Sequence, residues 1–91
     1  MLIVSSADIH EKIDFINNGS LKDTSYKIRT SKNVVYLDNL KSGGQSEVIL
    51  HSKIEVYKFL FRFDNFLMMI DNPNIHEVFK KTRGKYHDKF N

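Results

Sequence analysis

Cysteine is absent from the 91 residues. That excludes disulfides, thiolate metal sites and a cysteine nucleophile, and it suits a reducing compartment. Long apolar runs are missing too. The longest uncharged one is Phe66 to Ile70, far short of the ~18 residues of a membrane span. The first residues, Met-Leu-Ile-Val-Ser-Ser-Ala-Asp, carry neither the basic region nor the apolar stretch of a signal peptide. The expected location is cytoplasmic, with no membrane contact. Proline occurs once and glycine four times. Only Lys41-Ser42-Gly43-Gly44-Gln45-Ser46 reads as a flexible connection, and there is neither an internal repeat nor a low-complexity tract.

What is present is ordinary globular composition, with 41% apolar and 27% charged residues. A chain of this length buries roughly 60–70% of the surface it exposes when unfolded, which supports one core and not two. The expected division is a single α+β domain over residues 1–84, followed by a basic tail or helix extension over 85–91. Lysine outnumbers arginine by 11 to 3, and isoleucine, asparagine and phenylalanine are abundant. Their codons are rich in A and T, a hint of a low-GC bacterium or a phage.

The net charge is +3, and its placement matters more than its size. Residues 1–75 hold nine Lys/Arg and nine Asp/Glu. Residues 76–91 hold Lys80, Lys81, Arg83, Lys85 and Lys89 against Glu77 and Asp88, so the whole excess sits in the last 16 residues.

Ile9, Ile13 and Ile16 fall on one helical face. Ser5 or Ser6 can cap that helix, acidic Asp8 and Glu11 lie near its N-terminus where the dipole favours negative charge, and Asn17-Asn18-Gly19 supplies a left-handed stop. The first helix is expected over roughly 7–18. Leu2-Ile3-Val4 before it is a short strand or a lead-in. Tyr26–Arg29 and Val34–Leu37 read as strands joined by a four-residue polar turn, Thr30 to Asn33. Glu47–His51 supplies a third, giving an antiparallel meander.

The stretch 53–71 has apolar residues at 56, 59, 60, 63, 66, 67 and 70 and polar ones at 55, 58, 62 and 65. That is a helical stripe, preceded by a Ser52/Glu55 capping box. Asn72-Pro73 then opens a third helix with inner residues Ile75, Val78, Phe79 and Thr82 and an end at Gly84. The order is α-β-β-β-α-α, a small three-stranded antiparallel sheet packed against helices.

Catalytic and metal motifs are poorly represented. His10-Glu11-x-x-Asp14 has the outline of a helical zinc motif without its second histidine, and His51, His76 and His87 supply no i, i+4 partner. No nucleophile elbow occurs. Ser42-Gly43-Gly44 lacks the lysine of a phosphate loop, having Gln45 in its place. The paired carboxylates Glu11 and Asp14 lack an apolar setting that would raise either pKa. A non-enzymatic protein without metal or other cofactor is expected.

Three candidate binding surfaces stand out. Lys80, Lys81, Arg83, Lys85, Tyr86 and Lys89 interleave cations with an aromatic ring, which offers phosphate contact and base stacking together. Lys27, Arg29 and Lys32 form a second basic spot. Tyr57, Phe61 and Met68 flank the apolar stripe of the second helix. The third helix is expected to cover them, and if left open they would form a strip for a protein partner or a second copy. The α-β-β-β-α order resembles that of double-stranded-RNA-binding domains, with Ser52-Lys53 opening the helix where that family places its lysines. The full order also looks like that of a small phage-encoded anti-CRISPR inhibitor of Cas9, although that analogue is acidic and this chain is basic.

The expected function is a small regulatory protein that binds nucleic acid, or a nucleic-acid-processing complex, through the basic C-terminal segment. The alternatives are an anti-CRISPR-like phage or mobile-element inhibitor of a host or defence protein, and a small ribonuclease toxin using Arg83, Lys85, Tyr86 and His87.

Overall fold

The computed structural model describes residues 3–69 and 75–90, the stretch 84–90 by its backbone alone. The elements are helices α1 (Ser6–Asn18), α2 (Lys53–Met69) and α3 (Ile75–Phe90) and strands β1 (Tyr26–Ser31), β2 (Val34–Asn39) and β3 (Gln45–Ile49). The order is α-β-β-β-α-α and the class α+β, as the sequence pattern requires. The strands form one antiparallel sheet in the order β1-β2-β3.

Local chemistry explains the element ends. Ser5 caps α1: its hydroxyl accepts from the Asp8 backbone N–H at 3.1 Å, and the Asp8 carboxylate accepts from the Ser5 N–H at 2.9 Å. The stop at Gly19 differs from expectation. Its φ is −113°, not left-handed. Glycine is needed there for space, since a Cβ would lie 2.8 Å from the Phe15 carbonyl oxygen. At the start of α2, Ser52 Oγ accepts from the Glu55 N–H at 3.3 Å. The reciprocal half of that box is unmade, and Glu55 Oε2 is buried without a partner.

Both hairpins are tighter than their sequences imply. Ser31 pairs with Val34, so the first turn has two residues, Lys32 and Asn33, and not four. In the second, Asn39 Oδ1 accepts from the backbones of Lys41 and Ser42, and Gly43 takes a left-handed φ of +77°. This ties the glycine segment into a closed turn and starts β3 at Gln45, two residues before the predicted start. Ile3 to Ser5 form no regular element, and Ile3 is exposed.

Period-two alternation sorts the sheet into two faces. Ile28, Val35, Leu37 and Val48 point inward and are buried. They join Ile9, Ile13 and Ile16 of α1, Val56, Phe59, Leu60, Phe63 and Leu67 of α2, and Ile75, Val78 and Phe79 of α3 in one core. Phe79 meets Phe59 and Phe63 edge-on at 5.4 and 5.7 Å between ring centres. This aromatic cluster fixes α3 on α2. The expected cap at Asn72-Pro73 lies outside the described residues. Helix α3 runs on through Gly84 to Phe90, where an end at Gly84 was expected. Glycine costs a helix interior only about 1 kcal/mol and does not compel a stop.

Candidate nucleic-acid interface

The burial of Ile75, Val78, Phe79 and Thr82 orients α3. Thr82 is kept in the core by donating its hydroxyl to the Val78 carbonyl at 2.9 Å. With that stripe inward, Lys80, Lys81 and Arg83 are exposed on the outer surface. None of the three forms an ion pair among the described residues. The remaining members of the predicted set, Lys85, Tyr86 and Lys89, follow on the same helix backbone, and their side chains lie outside the described residues.

The second basic spot does not hold together. Arg29 points to the outer face of the sheet. There Asp38 Oδ2 accepts from its Nε at 2.6 Å and Oδ1 from a terminal nitrogen at 3.3 Å. Its guanidinium lies 4.1 Å from the centre of the Tyr36 ring. The Asp38 hydrogen bond raises the Arg29 pKa and cancels its charge locally. Lys27 stays exposed on that face, while Lys32 sits at the tip of the β1–β2 turn.

The apolar strip is uncovered, contrary to the expectation that α3 would hide it. Phe61 is 50% exposed and Met68 71%, and Phe15 joins them at 62%. Tyr57 is half-buried, with its ring centre 6.4 Å from that of Phe61. Helix α3 packs against Phe59 and Phe63 of α2 and leaves Phe61 and Met68 exposed.

One site escaped the sequence reading altogether. Asp64 of α2 is 3% exposed. Its Oδ2 accepts from Lys12 Nζ at 3.0 Å and its Oδ1 from Ser20 Oγ at 3.0 Å. The Lys12 ammonium also sits over the Phe15 and Phe61 rings, 5.0 and 4.6 Å from their centres. The only signal available was the spacing Leu60, Asp64, Leu67, which puts the carboxylate on the buried stripe. Among the described residues, no three His, Asp or Glu gather as metal ligands, and no helix is long and apolar enough to cross a membrane.

The chain matches no family model, no curated protein and no solved structure. What the fold and surface define is a class: a small α+β domain whose excess positive charge is confined to its final helix.

Proposed function

We propose that the protein binds nucleic acid, or a complex that processes nucleic acid, through the basic outer surface of α3. The carrying observation is that Lys80, Lys81 and Arg83 are exposed, and form no ion pair among the described residues, on a helix whose opposite face is locked into the core. Lys85, Tyr86 and Lys89 extend the same segment. The cations would neutralise backbone phosphates in the cytoplasm, and Tyr86 would stack on an unpaired base. This role is one of binding and not of catalysis.

Salt titration on short single-stranded and duplex oligonucleotides tests it. Three to five phosphate contacts give a log–log slope of roughly −3 to −4.5 on duplex. Replacing Lys80, Lys81, Arg83 and Lys85 by Ala should weaken binding and flatten that slope, and Tyr86→Ala should weaken single-stranded more than duplex binding. Failure of the wild type to bind either form at low salt, or equal binding by the quadruple variant, rejects the reading.

In that event the second reading takes over, an inhibitor of a host or defence protein acting by contact. The open strip of Phe15, Phe61 and Met68 favours it, since exposed aromatic and Met side chains mark protein interfaces.

A further inference from the structure

A second cationic feature lies away from α3, where the first turn of α1, the β1–β2 turn and the start of α2 converge. They enclose an open cavity of about 150 Å³ lined by Ser6, Ile9, His10, Thr30, Lys32, Asn33 and Lys53. On this measure a single water needs only roughly 10–15 Å³, so the cavity has room for a phosphate group. Its ionisable lining is basic throughout: His10, Lys32 and Lys53, with no carboxylate among the lining residues. The neighbouring cavity along α1 has the opposite character, with Asp8 and Glu11 against Lys12. Residues 1–75 are neutral as a set, so folding separates their charge into patches that the sequence total conceals. Lys32 and Lys53 form no ion pair among the described residues.

The backbone adds an independent observation. Lys32 has φ +55° and is the one described non-glycine residue with positive φ. Glycine or asparagine adopts that conformation at lower cost, and either would serve a two-residue turn better. Asn33 is adjacent, yet the register puts lysine in the left-handed position. Strain held at an exposed cation points to a task for that cation.

We infer that this cavity is a phosphate-binding site, in which Lys32 and Lys53 supply the charge and His10 and Ser6 donate hydrogen bonds. The site is separate from the α3 surface. Its ligand is a phosphate group, carried by a nucleic-acid backbone or free in solution.

Amide chemical-shift titrations with inorganic phosphate, and then with a short oligonucleotide, decide the matter. They need the wild type, Lys32→Gly, Lys53→Gln and an α3 triple variant with Lys80, Lys81 and Arg83 changed to Ala. Phosphate should shift the amides of Ser6, His10, Lys32, Asn33 and Lys53 saturably in the wild type and in the α3 variant. Lys32→Gly should keep or raise the Tm while weakening phosphate binding about tenfold, the loss of one charge-assisted hydrogen bond. Lys53→Gln should weaken it similarly. Oligonucleotide shifts at the same amides identify the polymer backbone as the source. Phosphate shifts without oligonucleotide shifts anywhere uphold the site for free phosphate and reject the α3 reading. Oligonucleotide shifts confined to α3, with no saturable phosphate effect, overturn the inference and leave the α3 reading standing. Unchanged phosphate affinity in Lys32→Gly and Lys53→Gln overturns it as well.

Discussion

Asp64 and Lys12 tie α2 to α1 by charge in a place where apolar packing would have been the simpler solution. The two side chains are only 4% and 14% exposed. Removing one leaves the other charge desolvated, which costs more than the intact pair contributes. Asp64→Ala should therefore lower stability by about 3 kcal/mol in urea unfolding. The double variant Asp64→Leu with Lys12→Met should recover most of that loss, because apolar replacement of both partners avoids the stranded charge. Equal losses in the single and double variants would show that the pair acts by shape alone. Asp8 gives a pH effect of known sign. Hydrogen bonds from the Ser5 backbone and hydroxyl hold its carboxyl below the ordinary 3.8. The folded-state value is depressed, so this stabilisation is present above pH 3.8 and is lost as pH falls below it. Unfolding midpoints of wild type and Asp8→Asn should differ near neutrality and converge in acid.

The elements owe their positions to one face each. On α2, the stripe through Val56, Phe59, Leu60, Phe63 and Leu67 is buried against the sheet and both other helices. Leu60 is fully buried, and Leu60→Ala should cost about 2–5 kcal/mol, read as a fall in the urea midpoint. A cost below about 1 kcal/mol would mean that the core collapses around the gap. Side chains protect the edge of β1, Thr24 at the Tyr26 N–H and Asn17 at Ile28. Asn17 Nδ2 donates to the Ile28 carbonyl at 2.9 Å, and its Oδ1 accepts from the Ile28 N–H at 2.8 Å. The amide imitates a neighbouring strand at an edge that would otherwise invite pairing with another chain. The sequence reading assigned Asn17 only to the helix stop. Residues 11 apart could not be matched without knowing how α1 lies on β1.

For the molecule as a whole, the fold and the proposed binding surfaces are separable. Lys80, Lys81 and Arg83 are exposed and form no ion pair among the described residues. Their replacement by Ala should change stability by no more than about 0.5 kcal/mol each in thermal unfolding, even as nucleic-acid affinity falls. A larger loss would mean that the cations support α3 itself. The sequence alone determined the class, the element order, the capped start of α1, the buried stripes of all three helices and the outward placement of Lys80, Lys81 and Arg83. These follow from local periodicity and capping, in which each residue is judged against neighbours three or four positions away. Tertiary structure alone decided the rest. It buried Asp64 against Lys12 from 52 residues away, neutralised Arg29 on Asp38, left Phe15, Phe61 and Met68 open, and gathered His10, Lys32 and Lys53 around one cavity. Each of these depends on how separate elements are placed against one another, which local periodicity does not encode. Hydrogen bonds need contact at about 3 Å and attraction between exposed charges is screened beyond about 10 Å, so proximity, and not composition, sets which charges meet.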